Sequence, residues 1–410
     1  MTLDIKFVRS VFPALASGFL FGDNAGGSQC VADVVDRISD YLLNTNVQLG
    51  ADYPVSVAST ARVASGSEAA RELFNAESVD EIAYGSSSTM LVENLARAIE
   101  ADIHPGEEII ITGEHESNAG PWKRLAARKG AIIRLWPETR LAQYPENPYA
   151  VGLQLDALLP LISAKTRLVA FTACSNILGS VVPVQDIVRA ARERARDLGA
   201  RKIEFCVDCV AYAPHRQIDG QVYGPHASVL YARASSLQNS LTSLAHHFLK
   251  VDNKPYKLQP GGPGYELVYG CTAVPDYLRS LTPAGTLEAA WAAVAEHEQT
   301  LLEPLLGYLR GKRERGVRIV GEEGAGAGRV PTVSFVVVGD RALRSPGVVK
   351  AFDAKGDVGI RYGHFYAYTL VDQLDPKINV DDGVVRISLV HYNTVDEVKR
   401  IIDILEEVLA

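Results

Sequence analysis

The chain has 410 residues, 47% hydrophobic and 22% charged, an ordinary globular composition with enough length for two domains around large cores. A formal net charge of -8 speaks against a nucleic-acid surface. No window offers the roughly eighteen uncharged apolar residues that a membrane-spanning helix needs.

The first residues, M-T-L-D-I-K-F-V-R-S, mix acids and bases without a long apolar run. They read as neither a secretory signal nor a transit peptide, and the expected compartment is the cytoplasm. Residues 1–30 form an N-terminal lead-in segment containing the turn Asp23-Asn24-Ala25-Gly26-Gly27, whose glycines permit unusual backbone angles.

From about residue 31 to 275 helix-period and strand-like stretches alternate. Val31–Leu43 and Thr60–Phe74 predict helices, Glu81–Tyr84 a strand, Leu91–Glu100 a helix and Glu108–Thr112 a strand. Helix at Pro121–Lys129, strand at Ala131–Trp136, helix at Leu155–Ile162 and strand at Arg167–Thr172 follow. Val184–Leu198 has apolar residues on one face and arginines on the other, and Ile203–Val207 is a short apolar run. Such alternation indicates βαβ units and a mostly parallel sheet.

After the loop Q-P-G-G-P-G-Y-E, an Ala-rich helix over Leu287–Arg310 leads into a smaller C-terminal α+β part, residues 276–410. That part has strands near Val317–Val320, Thr332–Val338 and Val384–Leu389. Thr394 and Glu397 form a capping box before the last helix. Gly321–Gly328 reads as a surface loop, because no Lys-Ser/Thr pair follows it as a phosphate loop requires.

Five cysteines, Cys30, Cys174, Cys206, Cys209 and Cys271, are too scattered for a disulfide framework. Cys206 and Cys209 have C-x-x-C spacing but no second ligand pair, and Cys206 sits inside an apolar run, so no metal site is expected. A nicotinamide-type dehydrogenase is excluded by the lack of G-x-G-x-x-G after a strand.

Polar groups gather at the ends of three strand-like runs: His115 after Glu108–Thr112, Ser175-Asn176 after Leu168–Thr172, and Asp208 after Ile203–Val207. Ligands of open α/β sheets lie at the carboxyl ends of strands, so this convergence predicts a cofactor site. Gly85-Ser86-Ser87-Ser88-Thr89 follows a strand and opens a helix, which suits a phosphate. Arg386, inside V-V-R-I-S-L, is a charge in an apolar strand and needs a partner: a ligand carboxylate, or an internal one such as Asp382.

The series S-S-S-T, E-H-E-S-N, A-C-S-N-I-L-G-S, V-D-C-V-A-Y-A-P-H, Y-G-P-H and V-V-R-I-S-L-V-H-Y-N-T resembles the class V aminotransferases, in particular the cysteine desulfurase-like branch of pyridoxal-phosphate (PLP) enzymes. The resemblance runs from Phe12-Pro13-Ala14-Leu15 to the C-terminal helix. It implies an α/β protein of PLP-dependent transferase fold type I, with helices on both faces of a mostly parallel central sheet. Residues 31–275 would be the cofactor domain.

It also implies roles. Ser88 and Thr89 would hold the PLP phosphate, Asp208 would pair with the ring nitrogen, His115 would stack on the ring and serve in proton transfer, and Asn176 would meet the phenolic oxygen. Ala211 stands where the family often has a Gln. Asn24, Gly26, Arg361 and Arg386 would bind the substrate, an α-amino acid, and Gly262 would reach the phosphate of the partner in a homodimer. His215, after Pro214, reads equally well as a structural residue.

Two departures matter. The family's Ser-x-x-Lys, whose Lys holds PLP as a Schiff base, is absent: Ile218-Asp219 runs directly into Gly220-Gln221-Val222-Tyr223-Gly224-Pro225, with Gln221 at the Lys place. Lys250, Lys254 and Lys257 lie downstream, with nothing in the local match directing them to the ring. Tyr366 holds the place of the desulfurase's nucleophilic Cys, which argues against persulfide formation and leaves carbon–sulfur β-elimination, transamination or racemisation. A catalytically impaired relative acting as a binding protein is the alternative. The strand beside Ile203–Val207 would be missing, with Ser228–Ala232 still pairing as the following strand.

Overall fold

The structure is a computed structural model, and it describes residues 3–216, 227–248 and 257–410. The strands of the first half are β1 (Ile82–Gly85), β2 (Glu108–Thr112), β3 (Ile132–Trp136), β4 (Thr166–Thr172), β5 (Glu204–Asp208) and β6 (Ser228–Tyr231). β3, β2, β4 and β5 pair in that order as a four-stranded parallel sheet. β1 and β6 form a separate antiparallel pair.

Side chains alternate across this sheet, and both faces are covered. Ile109 and Ile111 of β2 pack with Trp122, Leu125 and Ala126 of one helix. Between them, Ile110 points the other way and shares a core with Trp136, Phe171, Ile187, Ala191 and Ala195. Every residue of β2 and β4 is buried, which is why they read as unbroken apolar runs.

β5 and β6 differ. Four of the five residues of β5 and all four of β6 are only half-buried. Among the described residues β5 has no strand partner on its second edge. The segment on which the expected loss of a strand beside β5 turns, residues 217–226, lies outside the described residues, while β6 pairs with β1. Gln221, Lys250 and Lys254 lie outside the described residues.

The helices that frame this half are α1 (Ala32–Asn44), α2 (Pro54–Leu73), α3 (Ser88–Ala98), α4 (Gly120–Lys129) and α5 (Val184–Asp197). α2 begins six residues before the sequence expectation, because Pro54 pre-sets the first turn and Ser56, Ser59, Gly66, Ala69 and Ala70 form its buried face without an apolar stripe. A Cβ on Gly66 would lie 2.3 Å from the Val268 carbonyl, so only glycine permits that approach.

The long helix α6 (Leu287–Gly311) contributes Trp291 and Val294 to a core shared with Phe12, Tyr84 and Tyr277. Its second half, from Leu301 to Leu309, covers an antiparallel sheet. That sheet is built from β7 (Val317–Val320), β8 (Thr332–Val337), β9 (Arg361–Gly363) and β10 (Val384–Ser388), in the order β7, β8, β10, β9. α7 (Val395–Val408) closes it, and its capping box between Thr394 and Glu397 forms as read from the sequence.

The stretch Gly321–Gly328 is not simply a surface loop. Glu323 is buried, its carboxylate accepts from Asn147 Nδ2 at 2.7 Å, and Gly321 packs on Leu178. No helix among the described residues is long and apolar enough to cross a membrane.

Candidate active site

A cavity of about 500 Å³ opens where β2, β4 and β5 end, with the first turn of α3 on one side and β9 and β10 on the other. Its volume is in the range of small-molecule sites. Ser88, Thr89, His115, Asn176, Asp208, Arg361 and Arg386 all line it, as do Asn24 and Gly26. Gly262 does not; it lies exposed in the loop before Tyr265.

Ser87 caps α3, its Oγ accepting from Met90 N at 3.2 Å. A helix leaves its first N–H groups unpaired, so those of Ser88 and Thr89 stay available to an anion. The Ser88 and Ser228 hydroxyls lie 3.2 Å apart, tying α3 to β6.

Asp208 keeps some surface on the cavity side, yet lies deep enough that burial raises its carboxyl above the usual range; the Val210 N–H, at 3.0 Å, and His115 oppose the rise. Burial likewise lowers the His115 imidazole, with Asp208 acting against it. His115 Nδ1 accepts from Ser117 N at 3.2 Å, so in the neutral ring the proton is on Nε2.

Arg386 is 2% exposed. Its internal partner is Asp23, not Asp382: Nη2 donates to Asp23 Oδ1 at 2.8 Å and Nη1 to the Asn176 carbonyl at 3.1 Å. Asp382 is engaged twice by Arg344. The Phe365 ring lies 3.7 Å from the Arg386 guanidinium carbon. Asn176 Nδ2 holds the Phe365 carbonyl at 3.0 Å, and the ring of Tyr366 sits 5.3 Å from that of His115. Phe365 and Tyr366 have φ of 46° and 62°, left-handed values costly for such side chains. These contacts hold the Phe365–Tyr366 turn over the cavity.

Asn24 is committed inward. Its amide donates to the carbonyls of Phe21 and Ser388 at 2.7 and 2.9 Å and accepts from the Tyr392 hydroxyl. It fixes the turn that carries Asp23.

Sequence reasoning left His215 open between a site role and a structural one, and missed its partner Glu298 and the place of Cys174. His215 lines the cavity with Nδ1 2.7 Å from Glu298 Oε1, a carboxylate of α6 that is fully buried and also paired with Arg216 at 2.9 Å. Cys174 reaches the cavity wall, but burial pushes its thiol far up, with the Glu114 charge adding to the rise, so it is no thiolate nucleophile. His215 meets Glu298 across 83 positions of the chain.

Beneath the cavity Glu114 Oε2 accepts from Ser175 Oγ at 2.8 Å, while Glu114 Oε1 and Glu138 Oε1 are buried without a hydrogen-bond partner among the described residues. Burial raises Glu114 well above its usual value, with Glu138 and Asp208 adding to the rise, and lifts Glu138 to about 7 from the ordinary 4.5. The folded state then keeps a proton that the unfolded chain releases, so stability falls as pH rises from about 4.5 to 7 and stays lost above. Glu138→Gln is expected to flatten this slope, improving stability at pH 8 relative to pH 5 by roughly 2–3 kcal/mol compared with wild type. Urea melts at the two pH values measure it; an equal slope in both proteins would refute the assignment.

The sequence pattern of the class-V aminotransferases matches residues 20–401. The chain belongs to that family. It is 42% identical to the aminotransferase-like protein FGM3 of Gibberella zeae, over all of this chain and 99% of that one. That alignment runs over 427 positions against 410 residues here, so the relative carries residues without a counterpart in this chain. A cysteine desulfurase-like protein, ustD of Aspergillus flavus, is 30% identical over 99% of this chain and 91% of its own.

Solved structures share the fold. The cysteine desulfurase CsdA of Escherichia coli superposes with a TM-score of 0.80 at 21% identity, covering 100% of this chain and 99% of its own. The cysteine desulfurase of Thermococcus onnurineus gives 0.82 at 21%, covering 100% and 98%. The class-V aminotransferase chain therefore has the α/β architecture of PLP fold type I, read from the sequence as a mostly parallel sheet.

The residues present fit PLP on one side of its chemistry. Asp208 is an enclosed carboxylate whose described hydrogen bond comes from a backbone N–H, and a protonated ring nitrogen would give it a counter-charge. The covalent side is not met: no lysine lines the cavity among the described residues. Lys257 is buried elsewhere, its Nζ donating to the carbonyls of Leu237 at 2.6 Å and Leu241 at 3.3 Å.

Proposed function

We propose that this class-V aminotransferase relative binds PLP without a covalent link and takes an α-amino acid as its second ligand. The observation that carries the reading is the meeting of Asp208, His115, the first turn of α3 and the two guanidiniums of Arg361 and Arg386 on one cavity. When bound, PLP supplies an electron sink for the pair released at the amino acid's Cα.

The chain's own groups do the rest. Ser88 and Thr89 hold the phosphate, Asp208 keeps a proton at the ring nitrogen, and His115 offers a flat face and a proton at Nε2. Asn176 steadies both the ring's phenolic oxygen and the Phe365–Tyr366 turn. Arg386 and Arg361 hold the α-carboxylate, and Phe365 and Tyr366 limit water. Tyr366 at the Cys place and a neutral Cys174 favour carbon–sulfur β-elimination or transamination over persulfide formation. A catalytically impaired binding protein is the second reading, favoured by the absence of lysine from the described cavity wall. In either reading residues 31–275 act as the cofactor domain, 276–410 as its smaller companion, and the chain pairs as a homodimer.

Calorimetric titration of the full chain is expected to give PLP binding, and amino-acid binding only after PLP is present. Sedimentation of the same sample at micromolar concentration is expected to give a dimer. No PLP binding would overturn the reading; a monomer would remove the dimer alone.

A further inference from the structure

Asp23 carries more than the turn it begins. Its backbone is bridged to Ser388 at the end of β10, two residues from Arg386. Its carboxylate is met by two guanidiniums, Arg386 Nη2 at 2.8 Å from Oδ1 and Arg361 Nη1 at 3.6 Å from Oδ2. A Cβ on Gly26 would lie 2.9 Å from Oδ2, so the carboxylate rests against glycine backbone and a larger residue there would displace it. Three separate segments thus fix one anion at the place where a ligand carboxylate is expected.

The fork of Arg386 is only half used. Nε and Nη2 form the edge that grips a carboxylate with two hydrogen bonds, yet Asp23 takes Nη2 while Nε is buried without a partner among the described residues. The site therefore has two positive charges, one resident negative charge and a spare donor. One ligand carboxylate brings the sum to zero. A second would leave an uncompensated negative charge beside Asp23 in a partly enclosed site, where like charges repel strongly.

Resting on the amino-acid reading, we propose that Asp23 is a specificity-determining residue: it neutralises one of the two arginines, so that the pocket takes amino acids with a single carboxylate and refuses those with an acidic side chain. The competing account is an ion pair that only pins the N-terminal turn to β10. That account predicts no change in ligand preference when the charge is removed.

The probes are N-phosphopyridoxyl-L-alanine and N-phosphopyridoxyl-L-aspartate, reduced conjugates whose binding needs neither a lysine nor turnover, titrated calorimetrically into the full chain. Wild type is expected to bind the alanine conjugate at least about tenfold more tightly. Asp23→Asn keeps the size and an acceptor for Arg386, and is expected to shift the aspartate-to-alanine affinity ratio by about tenfold or more in favour of aspartate. Arg361→Ala removes an exposed charge and is expected to shift the ratio the other way, which keeps the proposal testable should Asp23→Asn not fold. An unchanged ratio in either folded variant, or a wild-type preference for the aspartate conjugate, overturns the role of Asp23. Binding of neither conjugate to wild type overturns the amino-acid reading itself, and this inference with it.

Discussion

Arg386→Ala is expected to lower the affinity of the PLP-loaded chain for an amino acid by a hundredfold or more, with the affinity for PLP alone changed only a few-fold. Arg386 is 2% exposed, and its guanidinium is bonded to Asp23 and to the Asn176 carbonyl beneath the Phe365 ring. Truncating one partner of a buried, hydrogen-bonded charge pair in a complex costs about 2–5 kcal/mol of binding, and each 1.4 kcal/mol is tenfold in affinity. The loss is compounded here, because Asp23 stays behind with only the more distant Arg361 near it and repels the incoming carboxylate. Ser88, Thr89 and Asp208 belong to other elements, so the cofactor side has no direct contact to lose. Arg386→Lys keeps the charge but not the fork and is expected to fall between the two. Equal amino-acid affinity in wild type and Arg386→Ala would end the assignment. Loss of PLP binding as well would mean that the residue serves the fold.

What could be read from the sequence follows burial. Glu108–Thr112 is legible to the residue because both faces of β2 are covered, so every position demands an apolar or paired side chain. Asp208 and His115 are legible because a polar residue ending an apolar strand has few places to go except a site or a cap. α2 is less so, since its contacts are made by small residues whose pattern carries no period. Pairings across the chain were hidden altogether. Asp382 is the carboxylate nearest Arg386 in sequence, but it meets Arg344, while the partner of Arg386, Asp23, is 363 positions away and looks like any turn residue. Glu298 sits in an Ala-rich helix where nothing marks it as the buried partner of His215 and Arg216. The Glu138 charge acts on Glu114 because the two follow the ends of β2 and β3, which run side by side.

Borohydride reduction of the full chain in the presence of PLP, followed by peptide mapping, is expected to yield no stoichiometric pyridoxyl-lysine on any one peptide. The cavity has a place for the phosphate and a partner for the ring nitrogen, but no lysine among the described residues of its wall. Lys257, the described lysine that follows the missing segment, has its Nζ fixed by two carbonyls in a core site, and leaving it would abandon both bonds in low dielectric. Without a covalent link, retention rests on non-covalent contacts of the phosphate, of Asp208 and of the ring with His115 and Asn176, so PLP absorbance is expected to match the free cofactor and to disappear on dialysis. The chain's sheet agrees with this chemistry: β5 and β6, the strands on either side of the shortened segment, are the half-exposed ones, whereas β2 and β4 are sealed. Scattered trace labelling of surface lysines would leave the non-covalent account standing. A single fully labelled peptide, above all one carrying Lys250 or Lys254, would show a covalent anchor supplied from a new position, and the non-covalent reading would fall.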